Sequence, residues 1–122
     1  MREVIGVMNQ TRPLTCKESE FLETVIEVAH LYEWIVAHFR ASRTKHGWVT
    51  AVSGDGEGFP DLFMLRPTTK HRATAELKVG SNKPTEAQNR WLDAMETCGI
   101  PAFVWTPGDW DEIESILKNG AT

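Results

Sequence analysis

Two apolar runs near the middle of the chain leave the backbone little freedom. Asp61-Leu62-Phe63-Met64-Leu65-Arg66 and Arg72-Ala73-Thr74-Ala75-Glu76-Leu77-Lys78-Val79 read as strands joined by a short turn. Setting Asp61 opposite Glu76 fixes the register. Phe63 then faces Thr74, Leu65 faces Arg72, and the turn falls near Thr68-Thr69. Side chains alternate along a strand, so Asp61, Glu76 and Lys78 project to one face of this hairpin. Gly58 and Pro60 bracket a sharp turn into the first strand and fix where Asp61 points.

The flanking sequence supplies helices. Phe21, Leu22, Val25, Ile26, Val28, Ala29 and Tyr32 recur at helical spacing from Lys17 to about Glu33. Thr15 is its expected N-cap, with Glu18 completing a capping box. Trp34 to Phe39 reads as a strand, and Arg40 to Gly58 as a polar, glycine-rich region around Gly47-Trp48-Val49. Pro84 opens a helix that runs to about Cys98 and stops at Gly99. Ala102 to Trp105 is a strand, and Asp109 caps a last helix through about Leu117. The order α-β-β-β-α-β-α predicts an α/β fold with a central mixed sheet flanked by helices. At 122 residues one domain is expected, with residues 1–16 as an N-terminal arm (loose, or a short added strand) and 17–122 as the folded body.

Two carboxylates on adjacent strands repel each other unless a cation lies between them. An all-oxygen site of this kind suits Mg²⁺ or Mn²⁺, which keep several waters and take phosphate oxygens directly. A lysine beside it brings charge and N–H donors to orient a water and to stabilise charge that develops at phosphorus. Taken alone, Glu76-Leu77-Lys78 is the kind of triplet that decorates any half-exposed strand, and it is Gly58-Phe59-Pro60-Asp61 that shifts the reading. The chain carries −4 overall, yet residues 40–90 hold nine Lys/Arg against five Asp/Glu. That local surplus permits a polyanionic partner, with Arg40, Arg43, Lys45 and Lys83 as candidate phosphate contacts.

These residues carry a family resemblance. Gly-Phe-Pro-Asp-Leu at 58–62, Ala75-Glu76-Leu77-Lys78 and Gln88-x-x-Trp91 resemble the VRR-NUC (virus-type replication-repair nuclease) branch of the PD-(D/E)xK nucleases. The resemblance spans about residues 18–117 and takes in Glu18-x-x-Phe21, His38-Phe39-Arg40, Gly47-Trp48 and Val104-Trp105-x-Pro107-x-Asp109-Trp110. It departs at Leu22, where such proteins often carry glutamine, and at Glu33, where glycine is usual before Trp34. It implies a restriction-endonuclease-like core and metal binding by Asp61, Glu76 and the backbone carbonyl of Leu77. It further implies water activation by Lys78, a water-mediated reach of Glu18 to the metal, and Gln88 over the site, steadying the lysine or a phosphate. Standalone, phage-type members point to branched DNA, Holliday-junction resolution and a homodimer. A flap nuclease or exonuclease, or an idle nucleic-acid-binding or interaction domain, is the alternative.

Several residues stay open to two readings. Glu20 and Glu23 compete with Glu18, and any of them gains from the helix dipole alone. His38 is structural or catalytic. Trp48 is core or a platform for a base, while Trp91 is expected to pack beneath Gln88. The segments near Trp34 and Trp110 are interface material or core. Ser53-Gly54-Asp55-Gly56-Glu57-Gly58 lacks the Gly-Lys-Ser/Thr ending of a phosphate loop, and its acids repel phosphate. It reads as an approach to the site. Cys16 and Cys98 lack metal-ligand spacing, no secretory signal is evident, and no apolar run is long enough to span a bilayer. An intracellular setting, in a bacterium or a phage-infected cell, is expected.

Overall fold

A computed structural model describes residues 5–6, 16–39, 42–44, 47–51 and 54–121. In chain order these form β1 (Ile5–Gly6), α1 (Cys16–Leu31), β2 (Ile35–His38), β3 (Ser42–Thr44) and β4 (Gly47–Ala51). Then come β5 (Leu62–Arg66), β6 (His71–Leu77), α2 (Glu86–Thr97), β7 (Ala102–Trp105) and, after a 3₁₀ turn at Pro107–Asp109, α3 (Trp110–Asn119).

β5 and β6 pair antiparallel, with Leu62 opposite Ala75, Phe63 opposite Thr74 and Leu65 opposite Arg72. This is the register expected from the sequence. β2 joins the outer side of β5 antiparallel, and β7 joins β6 in parallel, giving the order β2-β5-β6-β7. The sheet is therefore mixed and the architecture α/β, consistent with a restriction-endonuclease-like core. Ala73, Thr74, Ala75 and Glu76 are all buried, which marks β6 as a strand covered on both faces.

One face packs on α1 and α3. Phe21, Val25 and Ala29 recur every four residues on α1 and meet Leu62, Met64, Ala73, Ala75, Trp105, Ile113 and Leu117 in one core. Full burial of a side chain such as Leu62 or Met64 stabilises the fold by about 1.5–3 kcal/mol. α2 covers the other face, burying Gln88, Leu92 and Met95. The last carbonyls of α3, which lack partners within the helix, are claimed from elsewhere in the fold. The Trp34 indole N–H donates to Leu117 O at 2.8 Å, and Arg66 Nη1 to Lys118 O at 2.8 Å.

Some expectations needed correction. The polar region after β2 is not simply a loop: β3 and β4 pair antiparallel, and β1 adds to β4, forming a second three-stranded sheet. Of the two readings of the N-terminal arm, the short added strand holds at Ile5–Gly6, whereas Cys16 already belongs to α1. Thr15 lies outside the described residues. Pro84 precedes α2 without belonging to its first turn, because Thr85 is the N-cap. Asp109 stands at the cap position of α3 but turns its carboxylate back, accepting from Thr106 N at 2.8 Å and Thr106 Oγ1 at 3.0 Å. Trp34 is 2% exposed and hence core, not interface. Trp110 is half-buried and meets Phe21 edge-on at 5.8 Å.

Glu33 explains one departure from the family pattern. Glu33 N–H donates to His30 O at 3.0 Å and Trp34 N–H to Ala29 O at 3.0 Å, closing α1 with the paired bonds of a Schellman motif. The motif needs a left-handed residue, and Glu33 takes φ 70°. α2 ends in the same way, with Gly99 at φ 84°. Glu33→Gly is expected to raise stability by about 1 kcal/mol by removing the side chain's left-handed penalty. A urea midpoint that is unchanged or lower would contradict this.

Candidate active site

Asp61 precedes β5 directly and Glu76 lies near the end of β6, where the hairpin register sets them side by side. The two are bonded through the backbone as well. Asp61 N–H donates to Glu76 Oε1 at 3.2 Å, and Leu77 N–H donates to Asp61 Oδ2 at 2.9 Å. Lys78 follows β6, its N–H donating to Trp105 O at 2.9 Å, so β7 steadies the lysine backbone. Its Nζ stands 3.3 Å from Glu76 Oε2. The structure thus brings Asp61, Glu76 and Lys78 to one place.

Gln88 completes the arrangement from α2. It forms a capping box with Thr85: Gln88 N–H donates to Thr85 Oγ1 at 3.3 Å, and Thr85 N–H donates to Gln88 Oε1 at 3.0 Å. With its carbonyl oxygen held by the cap, the amide presents its NH₂ to Glu76 Oε2, to which it donates. Gln88 is 3% exposed. It therefore acts on Glu76, at the oxygen that Lys78 also faces, and offers little surface to a phosphate. The Thr-x-x-Gln spacing that announces this cap stands in the sequence at 85–88, one residue after Pro84.

The site is electrostatically tense. Burial, then the neighbouring Asp61 carboxylate, push the Glu76 carboxyl up to about 8, against the pull of Lys78 and of the Asp61 N–H. Burial also raises Asp61, opposed by the Leu77 N–H and by the charges of Lys78 and His38. His38, at the end of β2 opposite Leu62, is thus close enough for its charge to be felt at Asp61. A buried and a half-buried carboxylate, both raised by desolvation and Glu76 also by its neighbour's charge, are what a divalent cation relieves, and their oxygens are the donors that Mg²⁺ and Mn²⁺ prefer. The residues present fit such an ion. Among the described residues no group of three or more His, Cys, Asp or Glu side chains is placed to hold a metal. Glu18, half-buried in the first turn of α1, is accordingly not grouped with the pair as a third direct ligand.

The model of the VRR-NUC domain family matches residues 7–107. The chain belongs to the VRR-NUC family. No curated protein and no solved structure matches it. VRR-NUC membership indicates a function of the nuclease type, and the match covers every residue of the site just described. No helix among the described residues is long and apolar enough to cross a membrane.

Two of the remaining candidates of this VRR-NUC chain fall on described residues. Lys83 is exposed in the segment between β6 and α2. Arg43 is on β3, paired in register with Trp48 of β4. Arg40 and Lys45 lie outside the described residues. Trp91, one turn after Gln88 on α2, makes contacts that the sequence does not announce. Its indole N–H reaches Asp55 O at 2.9 Å and Glu57 O at 3.1 Å, and its ring meets Phe59. The glycine-rich approach to the site is therefore tied to α2. No local sequence signal announces a ring that grips carbonyls more than thirty residues away.

Proposed function

We propose that the protein is a Mg²⁺- or Mn²⁺-dependent DNA endonuclease that cuts branched DNA, Holliday junctions among its substrates, as a homodimer. The observation that carries this reading is the convergence of Asp61, Glu76 and Lys78, with Glu76 raised to about 8 by burial and by Asp61. Asp61 and Glu76 hold the cation, with the Leu77 carbonyl as a further oxygen donor and Glu18 contributing through water. When bound, the cation supplies Lewis-acid polarisation of the phosphodiester and lowers the pKa of a nearby water. Lys78 directs its N–H donors to that water and places a positive charge where the phosphorane charge develops. Gln88 holds Glu76 in its rotamer, so the carboxylate does not reorganise during the reaction. Arg40, Arg43, Lys45 and Lys83 contact phosphates along the bound strands. A two-fold dimer sets two such sites to make the paired cuts that a four-way junction requires.

Cleavage of branched, flapped and linear DNA under defined metal conditions tests this. Cutting is expected with Mg²⁺ or Mn²⁺, favouring the branched substrate, and is suppressed by Ca²⁺ or by chelator. Robust cutting in excess chelator would sink the metal mechanism. Binding without cutting under every metal condition would favour an idle domain on the same fold.

A further inference from the structure

Phe59 stands two residues ahead of Asp61, and its ring is held from two sides. Phe39 meets it edge-on with centroids 5.3 Å apart and planes at 86°. Trp91 meets it at 5.1 Å and 70°. Each partner is itself anchored. Phe39 N–H donates to the carbonyl of Asp61 at 3.4 Å, and the Trp91 N–H is shared between the carbonyls of Asp55 and Glu57. None of these three rings belongs to the hydrophobic core, and Phe39 is 42% exposed. General burial does not account for the arrangement, whereas directed ring contacts and a shared N–H do.

Between Phe59 and Asp61 lies Pro60, fully buried and with its φ fixed by its own ring. A displacement of the Phe59 backbone therefore has one torsion fewer to absorb it before it reaches Asp61. On the other side of Phe59, Gly58 touches the Ala87 backbone of α2 closely enough to leave no room for a Cβ. Gln88 and Trp91, three residues apart, share one face of α2. That helix contributes no carboxylate to the site, yet Gln88 bonds to Glu76 and Trp91 braces the segment that carries Asp61.

We infer that Trp91 is a positioning residue that aims Asp61 at the candidate metal site, so that α2 aligns both carboxylates. The inference rests on the metal-dependent reading above. Residues that orient metal ligands from behind commonly change metal affinity 10–100-fold when replaced.

Mn²⁺ binding to the full chain, measured by titration calorimetry without DNA and alongside thermal unfolding, tests the role. Trp91→Leu, which loses both the ring contact and the N–H, is expected to weaken Mn²⁺ binding about tenfold or more. Trp91→Phe keeps a ring against Phe59 and is expected to recover part of that loss. Ile113→Val, in the core on the far side of the sheet, serves as the control and should leave Mn²⁺ affinity within about twofold, since distant sites act independently. If the wild-type chain binds no Mn²⁺, the metal-dependent reading fails and this inference falls with it. If the wild type binds and both Trp91 variants bind equally well, the positioning role alone is overturned. It is overturned too if Ile113→Val weakens Mn²⁺ binding in the same proportion to its loss of thermal stability as Trp91→Leu does.

Discussion

Lys78→Ala is expected to lower turnover by about 10²-fold or more while the protein still folds, as when a group that stabilises transition-state charge is removed. The side chain is 15% exposed, stands beside Glu76 Oε2 and does not belong to the hydrophobic core cluster. What its loss removes is positive charge beside the buried Glu76 and the half-buried Asp61. Lys78 is among the influences that hold Glu76 down, so in the metal-free variant Glu76 rises further above its present value of about 8. Protons compete with the cation for Glu76, so Mn²⁺ binding by the variant should accordingly need a higher pH than in the wild type. Arginine should not rescue the variant, because a planar guanidinium does not occupy the place of a compact ammonium. Rates measured on one branched DNA substrate over a range of pH decide the matter. Wild-type turnover by Lys78→Ala would remove Lys78 from the site.

Gly58→Ala should damage the fold itself. Gly58 adopts φ 84°, and a Cβ built on it would lie 2.5 Å from the Ala87 carbonyl carbon and 2.6 Å from its oxygen. The left-handed conformation costs a side chain about 1–2 kcal/mol, and overpacking against a backbone that cannot rotate away adds about 1–3. A loss of about 3 kcal/mol is expected, read as a lower midpoint in denaturant. Metal affinity should fall as well, because relieving the clash moves α2 and the Gln88 amide it carries. A variant as stable as wild type would show that α2 and the segment before β5 are not in contact through Gly58.

The hairpin was legible because two independent signals agreed. Alternation fixed which side chains share a face, and the glycine and proline before Asp61 fixed where the first strand starts. Once Asp61 was set opposite Glu76, every other pair followed, down to Leu65 against Arg72. The second sheet offered no such agreement. Ser42-Arg43-Thr44 has no apolar alternation, and its pairing with β4 is a matter of backbone bonds that the side chains do not announce. Asp109 holds the expected N-cap position of α3, yet its side chain does not cap the helix, for a related reason. A carboxylate at a cap position normally serves the helix that follows, yet here the preceding Thr106 offers two donors at closer reach. The partner of the Gln88 amide depends on which of its ends Thr85 captures, which the sequence does not announce. Trp91 was beyond local reasoning altogether. Its partners, Asp55, Glu57 and Phe59, are set by tertiary packing and by no spacing within α2.

The bond from the Trp34 ring to the carbonyl of Leu117 joins residues 83 positions apart. During synthesis, β5, β6 and α2 leave the ribosome with every residue of the candidate site already in hand. The sheet face opposite that site still waits for Ile113 and Leu117. Until α3 arrives, Phe21, Val25, Leu62 and Met64 confront solvent across the gap that it will fill. Contacts so far apart in sequence form late, because the chain between them must be ordered before they bring any gain. The chemistry-bearing half is thus written early and secured late. A fragment trimmed to residues 7–107, the limits of the family match, would keep the whole candidate site and discard the helix that holds its sheet in shape.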